Sequence, residues 1–149
     1  MNVTELLEEK RGAIVDEATE AIQRAHMRHY ESLDPKRMRE RLKTLCDIIL
    51  ECLKADSITP MTRYAGQIAG ERFFSGFTLR EVQTAFNVLE ESIWNQILDE
   101  MRPEEFSSAV IAVNGPLRTG KDEVARAYFS LVSRSKVPSP DLETPFTQS

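Results

Sequence analysis

The sequence predicts an all-α fold built from five to six helices. Apolar residues recur every three to four positions along most of the 149 residues, which is the period of an amphipathic helix. Capping residues and breakers interrupt this pattern at short connections, which leave little room for a sheet. Four of the seven prolines lie at those junctions: Pro35, Pro60, Pro103 and Pro116.

Capping residues delimit the first two predicted helices. Asn2 followed by Glu5 is a capping-box pattern, and the apolar stripe that follows it predicts one helix over residues 3–30. Asp34 is a good N-cap, and the proline after it suits the first helical position, where the missing amide costs nothing. The second helix is therefore predicted over residues 35–54.

The third helix is predicted to open at Thr59 and Pro60, which repeat the pattern of a cap followed by a proline. Its apolar stripe stays in register as far as Arg72 and Phe73. Gly76 should end it, because glycine adopts the left-handed backbone conformation of a helix stop without strain.

The fourth helix has the clearest local signal in the chain. Thr78 and Glu81 form a capping box, and Phe77 can pack onto Val82 across the cap. The apolar stripe that begins at Val82 continues until Met101, where we expect the helix to end.

The last helix is predicted to start at Pro103, followed by two acidic residues that suit the helix dipole. Gly115 and Pro116 should kink or split it, because proline cannot donate to the carbonyl four residues earlier. The stripe resumes afterwards and completes a single domain over residues 1–135. Residues 136–149 have no periodicity and are predicted to form a disordered tail.

Composition and charge point to the cytoplasm. The net charge of −5 argues against nucleic acid as a partner, and no apolar run approaches the roughly 18 residues of a membrane span. The charged N-terminus has no signal-peptide core. Cys46 and Cys52 would lie about 9 Å apart by helical rise alone, too far for a disulfide. We therefore expect neither a membrane nor a nucleic-acid partner.

One segment is similar to a nucleotide-binding loop. Residues 115–122 read Gly-Pro-Leu-Arg-Thr-Gly-Lys-Asp, which matches the phosphate-binding loop at every position but the last. Asp122 replaces the hydroxyl residue that would hold Mg²⁺, and no second buried strand is available for the sheet that this loop requires. A helix interrupted by Pro116 is the preferred interpretation, and a nucleotide site over Gly115 to Lys121 is the alternative.

The two histidines, His26 and His29, lie three residues apart on the first predicted helix. No acidic residue has the spacing of a helical metal motif, and no later histidine could serve as a proximal haem ligand. We therefore expect no metal, no cofactor and no catalytic residue set. The histidines, with Arg37 and Arg41 from the basic run at 36–43, are candidates for a partner-contact surface.

Aromatic residues are concentrated around the third and fourth helices. Phe73, Phe77, Phe86 and Trp94 are most simply core residues. The alternative is that they line a small-molecule pocket between those helices.

Three segments resemble the RsbRD N-terminal domain family, the sensory domains of RsbR-type stressosome co-antagonists that also occur on bacterial histidine kinases. Residues 6–16, with the alanine-rich helix after them, are similar to the opening of the family. Residues 76–82, Gly-Phe-Thr-Leu-Arg-Glu-Val, resemble its most recognisable helix start, and residues 121–128 resemble its closing helix. The similarity covers roughly residues 3–133.

The resemblance implies a globin-like, haem-free, usually dimeric domain that senses or relays a signal in the stress response. It implies no catalytic residues. No output domain follows in the sequence, so we expect a signalling partner in trans, and we expect the first and last helices to form the homodimer. The predicted function is a non-enzymatic bacterial sensor domain that acts through protein contacts. The alternative is a helical small-molecule- or nucleotide-binding domain that uses the Phe73, Phe77 and Trp94 cluster or the 115–121 loop.

Overall fold

A computed structural model of the chain describes residues 1–136, which form six α-helices and no strand. The all-α fold is therefore confirmed. The predicted tail lies outside the described residues, except that Lys136 ends the last helix. The helices are α1 (Val3–Arg24), α2 (Arg28–Glu31), α3 (Pro35–Ala55), α4 (Thr59–Phe74), α5 (Leu79–Glu100) and α6 (Phe106–Lys136), and a 3-10 turn at Pro103–Glu105 precedes α6.

The helix starts follow the local capping signals. The amide of Glu5 donates to the side chain of Asn2 at 2.8 Å, and the Glu5 carboxylate accepts the Asn2 amide in return. Thr78 and Glu81 form the same reciprocal pair at the start of α5. Asp34 accepts the amide of the residue two positions on, at 3.0 Å, and so caps α3. The predicted starts of α1, α3 and α5 are confirmed.

Gly76 ends α4 as predicted. Its φ of +91° lies in the left-handed region. The amides of Gly76 and Phe77 turn back to the carbonyls of Phe73 and Arg72, at 3.1 and 2.9 Å, and so satisfy two carbonyls of the last turn.

The first helix ends earlier than predicted. The apolar stripe suggested one helix over residues 3–30, but α1 stops at Arg24 and His26 has a left-handed φ of 50°. The chain then forms the single turn of α2, where the hydroxyl of Tyr30 donates to the carbonyl of Glu81 at 2.8 Å. A tertiary contact of this kind overrides the local helical pattern.

The start of α4 is shifted by one residue from the prediction. Its N-cap is Ile58, which makes no side-chain capping bond, so Thr59 is the first helical residue rather than the cap. The hydroxyl of Ser57 accepts the Thr59 amide at 3.1 Å. Pro60 is tolerated at the second position because the amides of the first helical turn have no partner within the helix.

Pro116 lies inside one helix rather than between two. α6 is one helix of 31 residues that includes Pro116, so the split form of the prediction is wrong and the kinked form stays a prediction. Gly115 suits this position, because a β-carbon directly before proline would crowd the proline ring in the helical conformation.

The helices pack as two groups that share α5. α1 packs against α3 and α5, while α6 packs against α4 and α5. One continuous apolar core results, and it includes the fully buried Ile14, Ile49, Phe86, Ile93 and Leu117. This arrangement brings the turn between α4 and α5 against α2 and the C-terminal half of α6.

Candidate functional site

An apolar groove of about 350 Å³ lies where the ends of α4 and α6 meet the start of α5. Phe129 lines the groove and is 68 % exposed, and Phe74, at the adjoining end of α4, is 78 % exposed. Phe73 joins them, because its ring lies 5.2 Å from that of Phe74 and it lines the groove with Phe129. We call the following residues the terminal patch: Phe73, Phe74, Phe77, Leu79, Tyr128, Phe129 and Val132.

The terminal patch exposes two large aromatic side chains, Phe74 and Phe129, whereas Phe77 and Tyr128 within it are buried. An isolated exposed apolar residue is ordinary in a folded protein, but a contiguous apolar patch is typical of an interaction site. The patch also contains no buried charge that a partner would have to desolvate. Its composition therefore fits contact with a protein better than chemistry on a substrate.

A buried carboxylate fixes the turn beneath the terminal patch. Glu81 is 5 % exposed, and its carboxylate accepts the amides of Thr78 and His29 at 2.8 and 3.0 Å. The Nδ1 atom of His29 lies 2.8 Å from the same carboxylate. Burial by itself would raise the pKa of Glu81, but these hydrogen bonds outweigh it and hold the pKa below its usual range. An ionised carboxylate thus joins α2 to the start of α5.

Two tyrosine hydroxyls hold the backbone of the same turn. Tyr30 donates to the carbonyl of Glu81 and Tyr128 donates to the carbonyl of Phe77, both at 2.8 Å. Burial raises the pKa of Tyr128 to about 12, so this hydroxyl remains a neutral donor at physiological pH. The terminal patch therefore rests on a turn anchored by α2 and by α6.

The structure brings together two of the four aromatic residues predicted to line a pocket. Phe73 and Phe77 share the groove of the terminal patch. Phe86 is 1 % exposed and instead borders an internal cavity of about 30 Å³. Trp94 lies two turns further along α5, half-buried against the core.

The residues predicted as a partner surface have different environments. His26 is exposed and pairs with Glu31 at 3.0 Å. His29 turns inward to the buried carboxylate of α5. Arg37 and Arg41 lie on α3, where they line a cleft between α3 and α4.

The alternative of a nucleotide-binding loop is wrong, because residues 115–121 belong to α6. Lys121 does not project from a loop toward an open site. Its Nζ lies 2.9 Å from the carboxylate of Glu90 on α5. Gly120 is required for packing, since a β-carbon there would come within 2.5 Å of the Phe86 ring.

Other classes of site find no support in the part of the chain that the structure describes. Within residues 1–136, no three His, Cys, Asp or Glu side chains are grouped so that they could hold a metal ion. None of the described helices combines the length and apolar character that crossing a bilayer requires.

Comparison with known families gives a match over residues 12–131, most of the chain, to the RsbT co-antagonist protein rsbRD N-terminal domain. The chain belongs to this family. The resemblance seen in the sequence is confirmed. No curated protein and no solved structure gives a match. The region shared with the RsbRD N-terminal domain family contains the Glu81 carboxylate and the terminal patch as far as Phe129.

Sequence inspection missed the exposure of the terminal patch. Phe129 directly follows Tyr128 in the apolar stripe that the sequence predicts for the end of α6, although its side chain is mostly exposed. Phe74 lies at the end of α4, outside the buried stripe of that helix. An aromatic residue in such a position is a signal from which its exposure could have been predicted. The contact of His29 with Glu81 joins residues 52 apart and has no local signature.

Proposed function

We propose that this RsbRD N-terminal domain is a non-enzymatic, cytoplasmic bacterial signalling domain that senses or relays a signal through protein contacts. The observation that carries the proposal is the terminal patch, with one exposed aromatic side chain at the end of α4, Phe74, and one in the C-terminal half of α6, Phe129. A family described as the N-terminal domain of a co-antagonist supports this role, since the last helix leads toward the rest of such a protein. The partner in trans is a signalling protein of the stressosome or kinase-associated type.

We further propose a globin-like homodimer in which α6 supplies most of the interface. α6 carries three exposed large apolar residues, Val110, Ile111 and Phe129, whereas among the described residues α1 exposes none. A stable interface buries about 800 Å² on each partner, more than one groove provides. Because α6 has 31 residues and is about 46 Å long, its exposed face has room for an interface of that size.

Sedimentation equilibrium of the wild type and two variants tests the proposal. The wild type should sediment as a dimer, and Phe129→Ser should raise the dimer dissociation constant at least about tenfold, because a large apolar side chain is lost from the interface. Leu98→Ser removes an exposed apolar residue of α5, outside the proposed interface helix, and should have a smaller effect. Circular dichroism should show unchanged helix content in both variants.

Two results would count against the proposal. A wild-type protein that stays monomeric at every concentration excludes the homodimer. A dimer weakened more by Leu98→Ser than by Phe129→Ser moves the interface from α6 to α5.

A further inference from the structure

A second cleft, between α3 and α4, concentrates positive charge in a chain whose net charge is −5. Its volume is about 360 Å³. Three guanidinium groups line it, from Arg37 and Arg41 on α3 and from Arg72 on α4, and its other polar residues include Tyr64 and Gln67. We call these five residues the arginine cleft.

Arg72 is held in the cleft with little compensation for its charge. Its side chain is only 13 % exposed. Its one ion pair among the described residues is with Glu71 at 3.4 Å, and the Glu71 side chain is itself 56 % exposed. A long contact to a solvated carboxylate neutralises a largely buried cation poorly.

The charge of Arg41 is compensated even less than that of Arg72. It forms no ion pair with any described residue, and its Nη1 atom is shut off from solvent and has no hydrogen-bond partner. Among residues 1–136, its charge has a favourable contact with the face of the Phe77 ring, whose centre lies 5.5 Å from Cζ. Burial, followed by the charges of Arg72 and Arg37, lowers the pKa of Arg41.

The acidic residues around the cleft do not balance these three cations. Glu40 and Glu71 are the carboxylates that line it, and both side chains are exposed to solvent. A buried polar atom without a partner in a folded protein calls for an explanation. An anion in the cleft would both accept a hydrogen bond from Arg41 Nη1 and offset the charges of the neighbouring arginines.

The space behind the cleft limits the size of such a group. The adjoining internal cavity, bordered by Tyr30, Leu42 and Phe86, holds only about 30 Å³. That volume accepts one water molecule and no larger group. A bound group therefore cannot extend into that cavity, and its charged end would lie between the arginines with any remaining part directed outward through the open cleft.

We propose that the arginine cleft binds a small oxyanion, a carboxylate or a phosphate, between Arg41 and Arg72. Guanidinium groups bind both through paired, charge-assisted hydrogen bonds. Tyr64 supplies a further donor, since burial raises its pKa and keeps the hydroxyl protonated. The proposal does not require the protein-contact function, because the anion would lie between α3 and α4 and not on the exposed face of α6, although Arg41 also contacts Phe77 of the terminal patch.

Titration of the full chain with potassium phosphate and, separately, with potassium acetate tests the proposal, at pH 7 and at ionic strength matched with potassium chloride. Arginine Nε–H resonances report binding directly. We expect saturable shifts with at least one of the two anions. The anion that binds more tightly indicates whether the ligand of the cleft is a phosphate or a carboxylate. Arg72→Gln should weaken that binding about tenfold or more, as expected for the loss of a charged hydrogen-bond donor.

Arg63→Gln is the matched control, because Arg63 is an exposed arginine nine residues before Arg72 and so on the opposite side of α4. It should leave the affinity unchanged. Arg41→Gln gives a second test; if that variant does not fold, the wild-type titration and Arg72→Gln decide. Shifts no larger than those in chloride, or equal weakening by Arg63→Gln and Arg72→Gln, would overturn the proposal.

Discussion

The carboxylate of Glu81 makes both a local capping contact and a tertiary contact. Through Thr78 it completes a capping box that the sequence makes visible, and through His29 it fastens a distant turn that the sequence does not reveal. A second capping box, at Asn2 and Glu5, is exposed and makes only the local capping contacts. The two glutamates therefore allow the tertiary contribution of Glu81 to be separated from helix capping.

We predict that Glu81→Gln lowers the free energy of unfolding by about 1–3 kcal/mol, because charged hydrogen bonds to a buried carboxylate are lost. Glu5→Gln should have a much smaller effect, since glutamine serves in a capping box and Glu5 is exposed. Urea denaturation of both variants at pH 7 measures the difference. An equal loss of unfolding free energy in the two variants would show that the contact with His29 adds nothing to the stabilisation by Glu81.

The pH dependence of the Glu81→Gln effect has a definite sign. The folded pKa of Glu81 lies below the ordinary value of about 4.3, so its ionisation stabilises the folded state above that pH. This contribution is lost as the pH falls through the folded pKa. The stability difference between wild type and Glu81→Gln should therefore shrink between about pH 5 and pH 3. A difference that grows on acidification would contradict this assignment.

At the scale of a helix, α6 depends on close approach to its neighbours. At Gly120 a β-carbon would lie 2.5 Å from Phe86 of α5 and 2.9 Å from the sulfur of Met61 of α4. The glycine that made residues 115–121 similar to a phosphate-binding loop is therefore explained by helix packing. A β-carbon added at Gly70 of α4 would meet no neighbouring atom within 4 Å.

We predict that Gly120→Ala destabilises the protein by about 1–3 kcal/mol, the usual cost of overpacking a core. Gly70→Ala should instead stabilise it by up to about 1 kcal/mol, because alanine is the better helix former. Thermal melts of the two variants give opposite shifts if both expectations hold. A Gly120→Ala variant as stable as the wild type would mean that α6 can move away from α4 and α5 at no cost.

At the scale of the whole molecule, the two cysteines report on the integrity of the bundle. Cys46 and Cys52 are both free and buried on α3. Burial raises the pKa of Cys46 to about 12, which leaves almost no reactive thiolate at pH 8. Cys52 borders an open cleft near Val3 and Ile58, so reagents reach its surroundings more easily.

We therefore predict an order of thiol reactivity. In single-cysteine variants assayed with a chromogenic disulfide at pH 8, Cys52 in Cys46→Ala should react faster than Cys46 in Cys52→Ala. Cys46 should react only as fast as the bundle opens, and both should react at once in guanidinium chloride. Faster reaction of Cys46 would show that α3 separates locally from α1.

The sequence by itself determined the helical class, the family, and the starts of α1, α3 and α5. Each of those starts depends on residues within a few positions of one another, such as Thr78 with Glu81, and a pattern that short is complete in the sequence. Gly76 as a helix stop has the same local origin.

The tertiary structure decided where α1 ends, which aromatic residues stay exposed, and which arginines meet in one cleft. α1 stops at Arg24 because α2 follows it and binds Glu81, about fifty residues away. Arg41 and Arg72 come together only because α3 packs on α4. Such contacts join residues that are distant in the chain, and the periodicity of a single helix carries no information about which surface of another helix it will meet.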